Sequence, residues 1–228
     1  MNRPDTRPDD ESTIDGEMPF RGMIRYEQQL PVRQVSYYLC GEIVEPQLYT
    51  EMFYTLRTAS DTDLVYLHLN SSGGDFNTGL QIINNILASN AHVVTILEAR
   101  AYSMAALIFL AGDELIVHDN CQLMFHTYSG YFSGKGHEQQ AESQAIASWF
   151  GKVMNRLCRP FLTENEVAGI IKGGDLWMDS DDITRRLTRM KRAQTTAAHQ
   201  HLKEKPAVAK KRAADSPAVN ATSSRKTV

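Results

Sequence analysis

The chain has few cysteines and no long apolar run, and both absences narrow its function. Its 228 residues include three cysteines, an odd number without metal-ligand spacing: Cys40, Cys121 and Cys158. This pattern disfavours a disulfide framework and a zinc site. No uninterrupted apolar stretch reaches about 18 residues, the length of a membrane-spanning helix, and the N-terminus lacks the basic-then-apolar order of a secretion signal. We therefore predict a protein of the reducing cytoplasm that neither enters a membrane nor is secreted.

Both ends of the chain are poor in apolar residues. Residues 1–20 are rich in Asp, Glu, Arg and Pro, which predicts a disordered acidic tail that cannot bury a core. Residues 191–228 carry nine Lys or Arg against Glu204 and Asp215, which predicts a flexible basic tail. A solvated tail is favoured over nucleic-acid binding because no aromatic residues are interleaved for base stacking. Residues 21–190 are predicted to form a single domain.

Between the tails, apolar strand-like runs alternate with helical patterns. The strand-like runs are residues 35–39, 64–69, 93–97, 114–117 and 122–125. Apolar residues at helical spacing occur over residues 45–59, 77–88, 103–110 and 137–158. The early chain therefore has the order β-α-β-α-β-α, which predicts an α/β fold with parallel strands and right-handed crossovers.

Polar residues suited to catalysis follow two of these runs. Ser103 opens an apolar helical stretch after the run at 93–97, where backbone N–H groups and the helix dipole favour developing negative charge. Gly73 and Gly74 follow the preceding run and allow the backbone to approach a ligand closely. Because the carboxyl ends of parallel strands meet at one edge of a sheet, we expect the glycines and Ser103 to lie together.

A serine nucleophile needs a base that takes its proton, and the base needs a carboxylate that orients it. His126, at the end of an apolar run, is the candidate base, and Asp175 is the candidate carboxylate. Competing bases on sequence alone are His68, His118 and His137. Taken singly, a capping serine or a hydrogen-bonded core histidine is the commoner interpretation. Only the joint arrangement points to catalysis.

The order serine, histidine, aspartate differs from that of trypsin-like, subtilisin-like and α/β-hydrolase chains. Three segments resemble the proteolytic subunit of the ATP-dependent Clp protease, or a phage-borne relative of it. The family patterns Asn-Ser-Pro-Gly-Gly, Ala-Ser-Met-Gly and Met-Ile-His correspond to residues 70–74, 102–105 and 124–126. The similarity runs from about residue 35 to residue 187.

The resemblance implies a fold and a site. The fold is an α/β, ClpP/crotonase-like superhelix of repeated β-β-α units with a protruding handle helix, here residues 137–158. Ser103, His126 and Asp175 correspond to the catalytic triad, and the backbone N–H groups of Gly74 and Met104 correspond to the oxyanion hole. The residues expected to align extended substrate, within a strand that follows the histidine, are Gly130 and Tyr131. No metal or cofactor is expected in this chain.

The resemblance also implies an assembly. The expected form is a homo-oligomer, a heptameric ring or two stacked rings, with an AAA+ unfoldase that threads polypeptide substrates into it. ATP would act only through that unfoldase. The compartment is the cytoplasm, or the host cytoplasm if the chain is phage-encoded. An apolar pocket that favours bulky side chains is hypothesised near residues 176–178.

Four departures from the family pattern surround the site and keep alternatives open. Ser72 replaces a proline, Ala105 replaces a glycine, residues 98–100 replace Gly-Gln-Ala, and residues 127–128 replace Gln-Pro. Besides the Clp-type protease, three alternatives remain. They are a crotonase-like enzyme that stabilises a thioester enolate, which the residue order argues against, a phage capsid-maturation protease, and a catalytically silent ring subunit.

Overall fold

The computed structural model describes residues 32–192. The predicted acidic tail, residues 1–20, lies outside the described residues, as does the basic tail from residue 193 onward. Residues 191–192, the first two of the predicted basic tail, are helical and are the last described residues. The strands are β1 (Gln34–Ile43), β2 (Leu64–Gly74), β3 (His92–Tyr102), β4 (Glu114–Val117), β5 (Gln122–Phe125) and β6 (Leu176–Asp179). The helices are α1 (Thr50–Thr58), α2 (Phe76–Leu87), α3 (Met104–Phe109), α4 (Gly136–Cys158), α5 (Glu164–Ile171) and α6 (residues 180–192).

The described strands form one sheet in the order β1-β2-β3-β5-β6, with β4 also paired to β3. β1, β2 and β3 are parallel to one another, and β4 and β5 both run parallel to β3. β4 pairs with the first half of β3 and β5 with its last three residues, so the two share one edge of β3. Only β6 is antiparallel to its neighbour, β5. The predicted α/β architecture with a mainly parallel sheet is confirmed.

Three strands are longer than their apolar runs. β1 continues from Leu39 to Ile43, still paired with β2. β2 continues through Gly74 because its ladder with β1 extends to the pair Ile43 and Gly74. β3 continues to Tyr102, where it pairs with Met124 of β5. By contrast, the single helix predicted at residues 45–59 is divided into two elements, a 3₁₀ turn at Pro46–Tyr49 and the helix α1. Pro46 sits at the start of this turn, where its missing N–H costs nothing.

The core lies between the sheet and the helices that follow its strands. Alternate residues of β2 point into it, and α2 contributes one apolar face. Every residue of α3 is buried, which makes this short helix the centre of the core. Because α3 begins directly after Ser103, its packing fixes where that residue can lie.

The longest helix, α4, is buried only near its end. Its buried residues are Phe150, Met154 and Cys158, and no residue of α4 before Phe150 is buried. Trp149, within this helix, is 41% exposed, and its ring packs edge-on against Phe76, 5.4 Å between centroids. None of the described helices combines the length and apolar character needed to span a bilayer.

Candidate functional site

Ser103 occupies an unusual backbone conformation at the turn between β3 and α3. Its φ is 55° and its ψ is −123°, and within residues 32–192 it is the one non-glycine residue with positive φ. A side chain in this region costs about 1–2 kcal/mol, so the surroundings must hold it there. The Ser103 N–H donates to the carbonyl oxygen of Met124 on β5 at 2.8 Å, and the buried α3 starts at the next residue. The hydroxyl is thereby presented at a sharp strand-to-helix turn.

The end of β2 lies against this turn. A Cβ atom at Gly73, where φ is +88°, would sit 2.6 Å from the carbonyl oxygen of Tyr102 and 2.8 Å from Cβ of Ser103. A Cβ atom at Gly74 would sit 2.1 Å from the carbonyl oxygen of Ile43 on β1. Only glycine fits at either position. The glycines and Ser103 therefore meet at one edge of the sheet, as the strand order predicts.

The two residues predicted to donate to an oxyanion lie on the segments that touch here. Met104 is the first residue of α3, and its N–H has no partner within the helix. Its nitrogen is 3.0 Å from the position that a Gly73 Cβ would take. The Gly73 N–H donates to the buried Ser71 hydroxyl at 3.1 Å, which anchors the turn that carries Gly74.

His126 follows β5 and faces the same cavity as Ser103. The cavity is small, about 30 Å³ in volume, and partly open to solvent, with mostly apolar walls: Phe76, Ser103, Met104, Leu107, Phe125, His126, Thr127, Tyr128, Phe150 and Met154. Within residues 32–192, no hydrogen bond joins the His126 ring to the Ser103 hydroxyl. Catalytic hydrogen bonds are often long before substrate binds, so the shared cavity is the informative observation.

Asp175 lies directly before β6. β5 and β6 pair antiparallel, and the last pair at this end joins Phe125 to Leu176. Extending the register by one residue sets Asp175 opposite His126, and directly opposed residues have Cβ atoms about 4.5–5.5 Å apart. The Asp175 side chain is exposed and, in the described part of the chain, makes no hydrogen bond to the histidine. The three strands β3, β5 and β6 thus bring the three candidate residues to one end of the sheet.

The competing histidines lie elsewhere. Nδ1 of His68 is 2.6 Å from one oxygen of Glu98, and Nε2 of His118 is 3.5 Å from the other. Glu98, one of the departures from the family pattern, thus contacts both histidines through its carboxylate. His137 is exposed in the first turn of α4. None of the three histidines lines the cavity beside Ser103.

One other expectation differs from the structure. Gly130 and Tyr131 lie in an irregular segment, not in a strand, and Tyr131 is 92% exposed. Nothing in the sheet pairs with this glycine-rich stretch, so it forms no ladder. The apolar pocket hypothesised near residues 176–178 stays a prediction; in that segment Met178 is buried in the core and Trp177 packs against Tyr102.

Sequence reasoning missed the aromatic walls of the cavity. Phe76 lies two residues after Gly74, and its ring packs against Phe150 of α4, 5.9 Å between centroids. Tyr128 packs edge-on against the same Phe150 ring at 5.2 Å. The one available signal was the position of Phe76 and Tyr128, each two residues from a predicted site residue. Their contact with α4 depends on tertiary packing.

The parallel sheet and the serine turn at its carboxyl edge define an α/β protein with a site beside the nucleophile-like Ser103. The chain belongs to the Clp protease family, whose sequence profile matches residues 33–184. This confirms the resemblance predicted from the sequence.

Relatives of this chain are named ATP-dependent Clp protease proteolytic subunit. The chain is 27% identical over 156 residues to the one from Carsonella ruddii, covering 66% of this chain and 77% of the relative. It is 26% identical over 113 residues to the one from Pleurastrum terricola, covering 47% and 57%. It is 31% identical over 93 residues to the one from Chlorokybus atmophyticus, covering 40% and 41%. The chain therefore spans about half the length of the latter two relatives.

Proposed function

We propose that this chain is a serine endopeptidase that cleaves unfolded polypeptides, with Ser103 as nucleophile, His126 as base and Asp175 as the orienting acid. The observation that carries the proposal is the strained turn at Ser103, which faces a cavity shared with His126. Strained backbone at a residue of this chemistry is typical of functional sites. Membership of the Clp protease family supports the same reaction class.

The reaction follows from these positions. His126 takes the proton of the Ser103 hydroxyl as the serine oxygen attacks the substrate carbonyl carbon. The resulting oxyanion accepts hydrogen bonds from the N–H groups of Gly74 and Met104. His126 then gives the proton to the leaving amine, and an ester to Ser103 remains. Water attacks this ester, His126 takes the proton of the water, and the proton returns to the serine oxygen as the acid product leaves.

Asp175 orients the base in this scheme. Its position opposite His126 in the extended β5–β6 register supports the role. The side chain is exposed here, so the hydrogen bond to the imidazole forms as substrate fills the cavity and excludes water. No metal or cofactor takes part in the scheme within this chain.

We further propose that the peptidase works as a homo-oligomeric ring, supplied with substrate by an ATP-dependent AAA+ unfoldase. Family membership and the printed names of the relatives support this proposal. The first half of α4, which has no buried residue, is the surface proposed to join copies as a handle. ATP would act through the unfoldase alone.

The experiment compares the purified protein with Ser103→Ala on a fluorogenic peptide and on casein, with oligomer mass measured on the same samples. We expect peptide cleavage to fall by at least about 1,000-fold in Ser103→Ala, because the nucleophile is lost. Casein should be spared until an unfoldase is added. Ser60→Ala, at an exposed position of the turn before β2, is the matched control and should leave cleavage unchanged. Cleavage that survives in Ser103→Ala would contradict the proposal.

A catalytically silent ring subunit is the second candidate. The absence, among the described residues, of a hydrogen bond from His126 to Ser103 or to Asp175 favours it. A serine-directed fluorophosphonate separates the two candidates. Labelling of the wild type but not of Ser103→Ala supports the peptidase, and no labelling of an assembled oligomer supports the silent subunit. Cleavage of a scaffold protein without any ATPase would favour a capsid-maturation protease.

A further inference from the structure

Tyr102, the residue before Ser103, points away from the core. Successive residues of a strand face opposite sides of the sheet. Ala101 is fully buried on the core side, so the Tyr102 side chain lies on the other face, where it is half-buried.

The Tyr102 side chain contacts both strands on its side of β3. Its hydroxyl donates to Oε1 of Gln122, the first residue of β5, at 2.6 Å. Its ring meets the Trp177 ring of β6 edge-on, with centroids 5.2 Å apart and planes at 72°. The Arg100 guanidinium carbon also lies over the Tyr102 ring, 5.7 Å from the ring centroid.

The sheet register shows what these contacts connect. Tyr102 pairs with Met124 of β5, and Met124 pairs with Trp177 of β6, so the three form one row across the sheet. His126 is two residues beyond Met124, and Asp175 is two residues before Trp177. Ser103 directly follows Tyr102. Each candidate of the triad is therefore within about 7 Å along its strand from this row.

The backbone pairing in this part of the sheet is short. β3 and β5 pair over three residues, and β5 and β6 over four. Short ladders leave the relative positions of the strands weakly defined. A side chain that bonds to one neighbouring strand and packs on the next adds a constraint on both.

We propose that Tyr102 is a positioning residue that aligns Ser103 with His126 and Asp175 by tying β3 to β5 and β6. This inference rests on the proposed function, because it assigns Tyr102 a role in that reaction. Tyr102 touches no reacting atom and acts through the three strands. Its loss should slow the chemical step and leave substrate binding intact.

The test measures kcat and KM for peptide cleavage in Tyr102→Phe and Tyr102→Ala, with oligomer mass and Tm on the same samples. Loss of the hydroxyl alone in Tyr102→Phe should lower kcat about fivefold, the usual effect of one hydrogen bond. Loss of the ring in Tyr102→Ala should lower kcat about 100-fold, as misplaced reacting groups do. KM should stay within about twofold in both variants. Tyr54→Ala, at a tyrosine that is 71% exposed on α1, is the control and should leave kcat unchanged.

A double-mutant cycle tests the hydrogen bond without requiring the alanine variant to fold. Tyr102→Phe and Gln122→Leu each remove one partner, so the double variant should lose no more kcat than either single variant. Additive losses, a change confined to KM, or a fall in kcat that accompanies loss of the assembly would each overturn the inference. If Ser103→Ala is inactive but Tyr102→Ala keeps the wild-type kcat, the inference about Tyr102 is also overturned. Activity in Ser103→Ala would instead refute the proposed function.

Discussion

At the scale of single residues, the site depends on close contact between two backbone segments. Ser103 keeps its positive φ because Gly73 leaves room for its Cβ and because α3 is buried immediately after it. The strained backbone of Ser103 therefore depends on the absence of a side chain at Gly73. This dependence can be tested by adding a methyl group at Gly73.

Gly73→Ala should destabilise the protein and damage the site. The new methyl group would meet the Tyr102 carbonyl and Ser103 Cβ below 3 Å, in addition to its own strained φ. Gly41→Ala is the matched control, since Gly41 has φ +92° with nothing within 4 Å. We expect Gly41→Ala to cost about 1–2 kcal/mol of unfolding free energy with kcat unchanged. Gly73→Ala should cost more and lower kcat, as urea unfolding and peptide kinetics would measure. Equal effects of the two substitutions would show that the contact with Ser103 is unimportant.

The cysteines give a second prediction. Cys40 is exposed, whereas Cys121 and Cys158 are buried, and all three are free. Burial raises the pKa of the Cys158 thiol to about 12 and also raises the pKa of Cys121. Because the thiolate is the reactive form, only Cys40 should react with a thiol reagent in the native protein at pH 7.5. All three should react in denaturant, and Cys40→Ser should abolish the native reaction. Rapid native labelling of that variant would contradict the burial of Cys121 and Cys158.

At the scale of elements, an ion pair joins α5 to α6. The two terminal nitrogens of the Arg186 guanidinium, Nη2 and Nη1, donate to the Glu166 carboxylate at 2.6 and 3.0 Å. Both side chains are largely buried. Glu166 also accepts the N–H and hydroxyl of Thr163, which caps α5. The Arg186 hydrogen bonds hold the pKa of Glu166 at about 2, below its ordinary value of 4.5. The folded state therefore favours the ionised carboxylate.

This pKa predicts an acid-dependent contribution to stability. A carboxyl group whose pKa falls on folding stabilises the protein above its unfolded pKa, and the contribution disappears as pH falls through the folded pKa. For Glu166 the window runs from about pH 4.5 down to about pH 2. Glu166→Gln should lower the unfolding free energy at pH 7 by about 2 kcal/mol, and the difference from wild type should shrink across the window.

The matched control is Glu164→Gln. Glu164 also pairs with an arginine, Arg159 at 3.3 Å, but its side chain is 80% exposed. An exposed pair contributes little, so the control should change stability by less than about 0.5 kcal/mol. Denaturant unfolding at several pH values measures both variants. A Glu166→Gln protein as stable as wild type at pH 7 would contradict the ion pair as a stabilising contact.

The accuracy of sequence-based prediction also varies by element. The five apolar runs were found because buried parallel strands are rich in apolar residues. The ends of β2 and β3 were not predicted. Residues 70–74 belong to β2 because their backbone pairs with β1, and the side-chain pattern does not encode this pairing. β6 and α5 were missed because four and eight residues carry too little periodicity. The three candidate catalytic residues were named from motifs, whereas the contacts of Tyr102 and the cavity walls depend on tertiary pairing.

At the scale of the whole molecule, the question is what covers the first half of α4. A helix with one apolar stripe usually buries that stripe, yet the residues before Phe150 are not buried within the described chain. Ile146 and Trp149 lie on this part of the helix, and Trp149 is 41% exposed. Contact between copies of the chain would cover them, consistent with the proposed ring assembly.

Ile146→Lys tests this association surface. A charge placed in an apolar contact between copies is buried without a partner, which costs several kcal/mol, about enough to separate the copies. We expect the oligomer mass, measured by light scattering, to fall to that of a smaller assembly, with the Tm of the subunit little changed because Ile146 is outside its core. Gln81→Lys places the same charge at an exposed polar position of α2, away from this surface, and should leave the mass unchanged. An Ile146→Lys oligomer of wild-type mass would show that this half of α4 does not join copies, and the ring would then have to form through other surfaces.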